Sequence, residues 1–69
     1  MNLVDDIKNI VKNKAVEVPT IRNKLQRKYP EADSDDLRNC IVLIAKIDKE
    51  LLLDESKTEY NYFAISLKK

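Results

Sequence analysis

The sequence predicts a small α+β domain: three helices followed by a C-terminal two-stranded β-hairpin, with a short strand allowed between the first two helices. Two observations carry this expectation. From Ser34 to Leu51, SDDLRNCIVLIAKIDKEL, a turn of about 100° per residue puts Leu37, Cys40, Ile41, Leu43, Ile44, Ile47 and Leu51 on one stripe, and Arg38, Asn39, Lys46 and Lys49 on the other side. After Leu51 the period falls from that of a helix to that of a strand. Glu59 to Leu67 alternates, with Phe63, Ile65 and Leu67 on one face and Tyr60, Tyr62, Ala64 and Ser66 on the other. The apolar stripe of the long helix is too rich to be left in water, so the rest of a 69-residue chain is expected to cover it.

The other elements follow in chain order. Asn2 is an N-cap candidate, Asp5 and Asp6 suit the positive end of a helix dipole, and Leu3, Ile7 and Ile10, with Val4 and Val11 alongside, keep helical spacing. A first helix is therefore expected over residues 3–13, ended by Asn13. The chain contains no glycine, so a residue needing positive φ would have to be Asn or Asp. Ala15 to Val18 alternates and allows only a short strand or an extended connector. Pro19 and Thr20 signal the second helix, proline in its first turn and threonine as its cap. Ile21, Leu25 and Tyr29 form its narrow apolar edge, and Pro30 stops it, because the residue before a proline is pushed out of the α region. Asp33 or Ser34 is expected to cap the long helix. Leu51, Leu52 and Leu53 then read as the first hairpin strand and Asp54 to Thr58 as the loop.

Composition narrows the function classes. One Cys and no His provide neither an intramolecular disulfide nor a zinc constellation, so no metal or cofactor is expected. Cys40, lying on the apolar stripe, reads as a small core residue, and a reducing, cytoplasmic setting follows. No segment approaches a membrane span, and the N-terminal MNLVDDIKN does not resemble a signal peptide. Catalysis is not expected: there is no glycine-rich phosphate loop, and no Ser or Cys has a base partner in view. The net charge is +1, but it is distributed unevenly. Residues 19–30 carry Arg22, Lys24, Arg27 and Lys28 and no acid, whereas residues 31–37 carry Glu31, Asp33, Asp35 and Asp36 and no base. Such polarity steers charged partners while the total stays near neutral.

Taken together, PTIRNKLQRKY as second helix, PEADS as turn, DLRNCIVLIAKIDKELLL as third helix running into a strand, and EYNYFAISL as returning strand resemble a winged helix-turn-helix domain over nearly the whole chain. The chain departs from that pattern in having Lys49 and Glu50 where a glycine commonly follows the third helix, and no glycine in the wing loop. The resemblance implies double-stranded DNA as ligand. It assigns base reading to Arg38, Asn39, Val42, Lys46 and Lys49, and phosphate contact to Arg22, Lys24, Arg27, Lys28 and Lys57.

Each assignment has a plainer counterpart. The bases of the second helix also suit a solvated face, and Tyr60 and Tyr62 suit a strand as well as a base stack. Asp33, Asp35 and Asp36 crowd the end of the third helix that approaches bases, and Asp54, Glu55 and Glu59 make the wing acidic, both of which oppose a polyanion. The leading expectation is a small DNA-binding regulator or accessory factor of transcription, replication or recombination. Its size favours a homodimer sharing the first helix or the hairpin edge, since so small a core barely offsets the ordering entropy. The alternative is a winged helix protein-interaction module or adaptor that does not bind DNA, its oppositely charged patches steering a protein partner.

Overall fold

The structure is a computed structural model that describes residues 2–55 and 63–68. Three helices and three strands follow in the order α1 (Leu3–Val11), β1 (Val16–Glu17), α2 (Val18–Lys28), α3 (Ser34–Ile47), β2 (Leu51–Asp54) and β3 (Ala64–Leu67).

Local chemistry accounts for most boundaries. Asn2 caps α1: its side-chain oxygen accepts the Asp5 N–H at 3.2 Å, and its amide donates to the Asp5 carboxylate at 2.8 Å. The helix ends at Val11, two residues short of Asn13. No described residue has positive φ, so the lack of glycine imposes no backbone strain there. Thr20 does not cap α2. The helix starts at Val18, before Pro19, because the Val18 N–H is already taken by the Phe63 carbonyl at 2.8 Å. The carbonyl just ahead of β3 thus satisfies the first backbone donor of α2. At the other end Tyr29 leaves the helical region ahead of Pro30, and Gln26 closes the turn by donating to the Ala32 carbonyl at 2.7 Å. Asp33 occupies the N-cap position of α3 without a side-chain cap bond.

α3 is shorter than expected, stopping at Ile47, and Leu51 belongs to β2. The turn between them uses Asp48 in place of glycine. Its carboxylate accepts the Glu50 N–H at 2.8 Å, and this bond is the main reason its pKa lies below the ordinary value.

The sheet corrects the expected hairpin. It has three strands in the order β1-β3-β2, all antiparallel, with the last strand in the middle. Val16 pairs with Ile65, while Leu51 to Asp54 pair with Leu67 back to Ala64. The returning strand was expected from Glu59, but the described strand begins at Ala64; residues 59–62 lie outside the described residues, as does most of the loop. β1 exists because β3 offers it a free edge; two residues would not hold an extended conformation alone.

Between the helices and the sheet lie Ile7, Val11, Val18, Ile21, Leu25, Leu37, Ile41, Ala45, Leu51 and Ile65, all buried. Tyr29, Phe63 and Leu67 pack against this cluster at its margin. Two polar fastenings hold α1 to the rest. Lys8 reaches Glu50 at 3.0 Å and Asp48 at 3.4 Å in the turn before β2. Asp6 receives Lys28 at 2.7 Å and the Tyr29 hydroxyl, joining α1 to the end of α2.

The second fastening predicts a pH effect. The hydrogen bond from Lys28, and then that from Tyr29, hold the Asp6 carboxyl below its ordinary range. A carboxyl whose folded pKa is depressed stabilises the fold above its unfolded pKa, and that contribution is lost as pH falls through the folded value. Thermal melts are therefore expected to show Asp6→Asn less stable than the parent at neutral pH, with the gap closing below about pH 4. A gap that persists in acid would mean that the carboxylate charge is not what holds this joint.

Candidate docking surface on the third helix

α3 turns toward the core a different part of its circumference from the one expected. The buried positions Leu37, Ile41 and Ala45 advance by about 40° at each step of four residues, and the half-buried Arg38 and Val42 continue the same side. Cys40, Leu43 and Ile47 lie roughly 130° away, on the opposite edge of the sequence stripe. Three expectations are corrected together. Cys40 is exposed, not a core residue, and Leu43 and Ile47 are 58% and 70% exposed. The cause is a shortage of cover: α1 and α2 have 9 and 11 residues against the 14 of α3, and they and the sheet close over one side of it only. Ala45 was the available signal. It is 3% exposed and lies four residues on from Ile41, yet its weak hydropathy left it out of the stripe.

Beside this apolar strip runs a polar one. Arg38, Asn39, Val42 and Lys46 come together with Leu43 and Phe63 around an open depression of about 280 Å³. Arg38 donates to the Asn39 side chain at 3.3 Å. Four of the five residues assigned to base reading thus share one face. Lys49, the fifth, lies beyond the helix end in the turn that leads to β2, and it is exposed. The first turn of α3 presents Asp35 and Asp36, both exposed, and its last turn presents Lys46, so charge changes sign along the helix.

The bases assigned to phosphate contact do not form one patch. Arg22 and Lys28 flank the buried edge of α2 on opposite sides, roughly 120° apart. Arg22 donates to Ser34 and to Asn23, toward α3, while Lys28 is engaged by Asp6 and sits 5.7 Å from the centre of the Tyr29 ring, toward α1. Lys24 lines a separate depression with Ile10, Lys14 and Glu17, and Arg27 is exposed on the outer side of α2. Lys57 lies outside the described residues. At the end of β2, Asp54 and Glu55 are exposed.

Among the described residues, no three Cys, Asp or Glu side chains gather as metal ligands would. No described helix is long and apolar enough to cross a membrane. The arrangement on α3 is a helical surface with an apolar strip, a polar strip, and acids and bases at opposite ends. No protein family, curated protein or solved structure matches the chain.

Proposed function

We propose that the chain is a winged-helix protein-interaction module whose α3 receives an amphipathic helix of a partner. The connectivity α1-β1-α2-α3-β2-β3, with β3 between β1 and β2, supports the winged-helix reading. The functional reading is carried by the exposure of Leu43 and Ile47 beside Cys40, on successive turns of a regular helix. Single exposed apolar residues are ordinary, but three at spacings of three and four residues make the seam a second helix fits. Asp35 and Asp36 at one end of that seam and Lys46 at the other give a docked helix a preferred direction.

One observation favours a second reading, a DNA-binding regulator or accessory factor: Arg38, Asn39, Val42 and Lys46 share a face that could enter a major groove. It ranks second because the bases of α2 are dispersed, Asp35 and Asp36 occupy the approaching end of α3, and Leu43 and Ile47 would face a polyanion without benefit.

Two experiments separate the readings. Selection from a displayed library of helical peptides is expected to enrich sequences with apolar residues at i, i+3 or i+4, and i+7, and Leu43→Lys is expected to abolish the enrichment. Anisotropy of a labelled random duplex is expected to show no salt-dependent binding. Binding that weakens linearly in log salt and is lost on charge reversal of Arg22, Lys24, Arg27 and Lys28 would replace the first reading by the second.

A further inference from the structure

We infer that the helix received by α3 is the α3 of a second copy, packed antiparallel across a two-fold axis; this rests on the interaction reading of the same face. The first ground is the spacing of the seam. Asp36, Cys40, Leu43 and Ile47 follow one another at intervals of four, three and four residues, a pattern that reads the same in both directions. A two-fold contact requires such self-complementarity, because every pairing occurs twice. Set antiparallel about its midpoint, the seam brings Leu43 against the small Cys40 of the second copy and Ile47 against the aliphatic part of its Asp36. Large against small is how helix surfaces interdigitate.

Charge is the second ground. The same register puts Lys46 beside Asp36 of the second copy, with Asp35 close by, and does so twice. A parallel arrangement would instead set acids beside acids and Lys46 beside Lys46. Among the described residues, the acids that the antiparallel register brings toward Asp36 are Asp48 and Glu50, just past the end of α3, and Lys8 holds both, at 3.4 and 3.0 Å. Antiparallel packing also places the positive end of one helix dipole beside the negative end of the other. The bodies do not compete for space, because the core side of α3 lies about 130° from the strip and the two cores fall on the outside of the pair.

This assembly has a consequence for the polar strip. Both copies present Arg38, Asn39 and Lys46 on the same side of the dimer, with the two helices about 8–10 Å apart. Reading helices of a dimeric DNA-binding protein sit about 34 Å apart to reach successive major grooves. The α3 dimer and groove reading by α3 are therefore mutually exclusive states.

Sedimentation equilibrium of the full chain between about 1 µM and 1 mM tests the inference. The parent is expected to pass from monomer to dimer within that range, and Leu43→Lys to remain monomeric with an unchanged circular dichroism spectrum. Lys46→Asp is expected to weaken the dimer roughly tenfold, and the double swap Asp36→Lys with Lys46→Asp to restore it. Leu43→Cys reads the register directly: mild oxidation should join Cys40 of one copy to the new thiol of the other. A parent that stays monomeric throughout, or a dimer indifferent to Leu43→Lys, would overturn the inference. Should the parent be monomeric while selected peptides still bind in a Leu43-dependent way, the interaction reading stands and only the second copy is wrong; if the peptides fail too, both fall.

Discussion

Ile41→Ala is expected to leave the chain largely unfolded at physiological temperature. Ile41 has no exposed surface and lies in the middle of α3, between the other two buried positions of that helix. Truncating such a residue removes its transfer free energy and leaves a cavity, together about 2–5 kcal/mol. A chain of this size has a total stability of only about 3–10 kcal/mol. The domain has neither a disulfide nor a described metal cluster to compensate, so the loss falls on the core alone. Urea titration followed by far-ultraviolet circular dichroism checks this. A midpoint within a few tenths of a molar of the parent would mean that α3 does not pack by the Leu37, Ile41 and Ala45 side.

Two residues further along the same helix, the expected outcome is reversed. Leu43→Lys is expected to leave stability within about 0.5 kcal/mol of the parent, since a leucine more than half exposed contributes little burial, the lysine stem covers much of the same surface, and both are good helix formers. Its binding consequence is large. An apolar residue at the centre of a helix-receiving seam behaves as an interface anchor, and replacing it by a charge is expected to cost at least about 2 kcal/mol, or roughly thirtyfold in affinity for a selected helical peptide. Fluorescence anisotropy of such a peptide gives the affinity, and thermal melting of the same sample gives the stability. If Leu43→Lys unfolds the chain, the strip belongs to the core after all. Unchanged stability and affinity together would remove α3's apolar edge from the docking surface.

How much of this was legible beforehand differs from element to element. All three helices were, because amphipathic spacing, Asn2 as a cap and Pro30 as a stop act within a few residues of where they stand. The start of α2 was misjudged for a non-local reason: the helix begins two residues before Thr20, at Val18, whose N–H is bound by the Phe63 carbonyl over forty positions away in the sequence. The alternation of β3 pointed correctly to Ile65 as an inward residue, but not to the middle of the sheet as its place. That depended on β1, which pairs through only two residues and leaves almost no pattern of its own.

The candidate site was legible as a list and not as a surface. Arg38, Asn39, Val42 and Lys46 were expected on one side of the third helix, and they share a face around one depression. The four bases of α2 were grouped by their closeness in sequence, whereas packing against α1 and α3 draws Lys28 one way and Arg22 the other.

By itself the sequence determined the helical periods, the change to strand period after Leu51, the polarity of charge along α3, and a width of apolar stripe on that helix greater than one neighbour can cover. Which part of the stripe is covered was decided only by the tertiary structure. The hydrophobic effect is non-directional: it demands that apolar area be buried and is indifferent to which edge of a stripe goes in. The choice fell to the shapes and lengths of α1, α2 and the sheet, which close over Leu37, Ile41 and Ala45 and leave Cys40, Leu43 and Ile47 facing out.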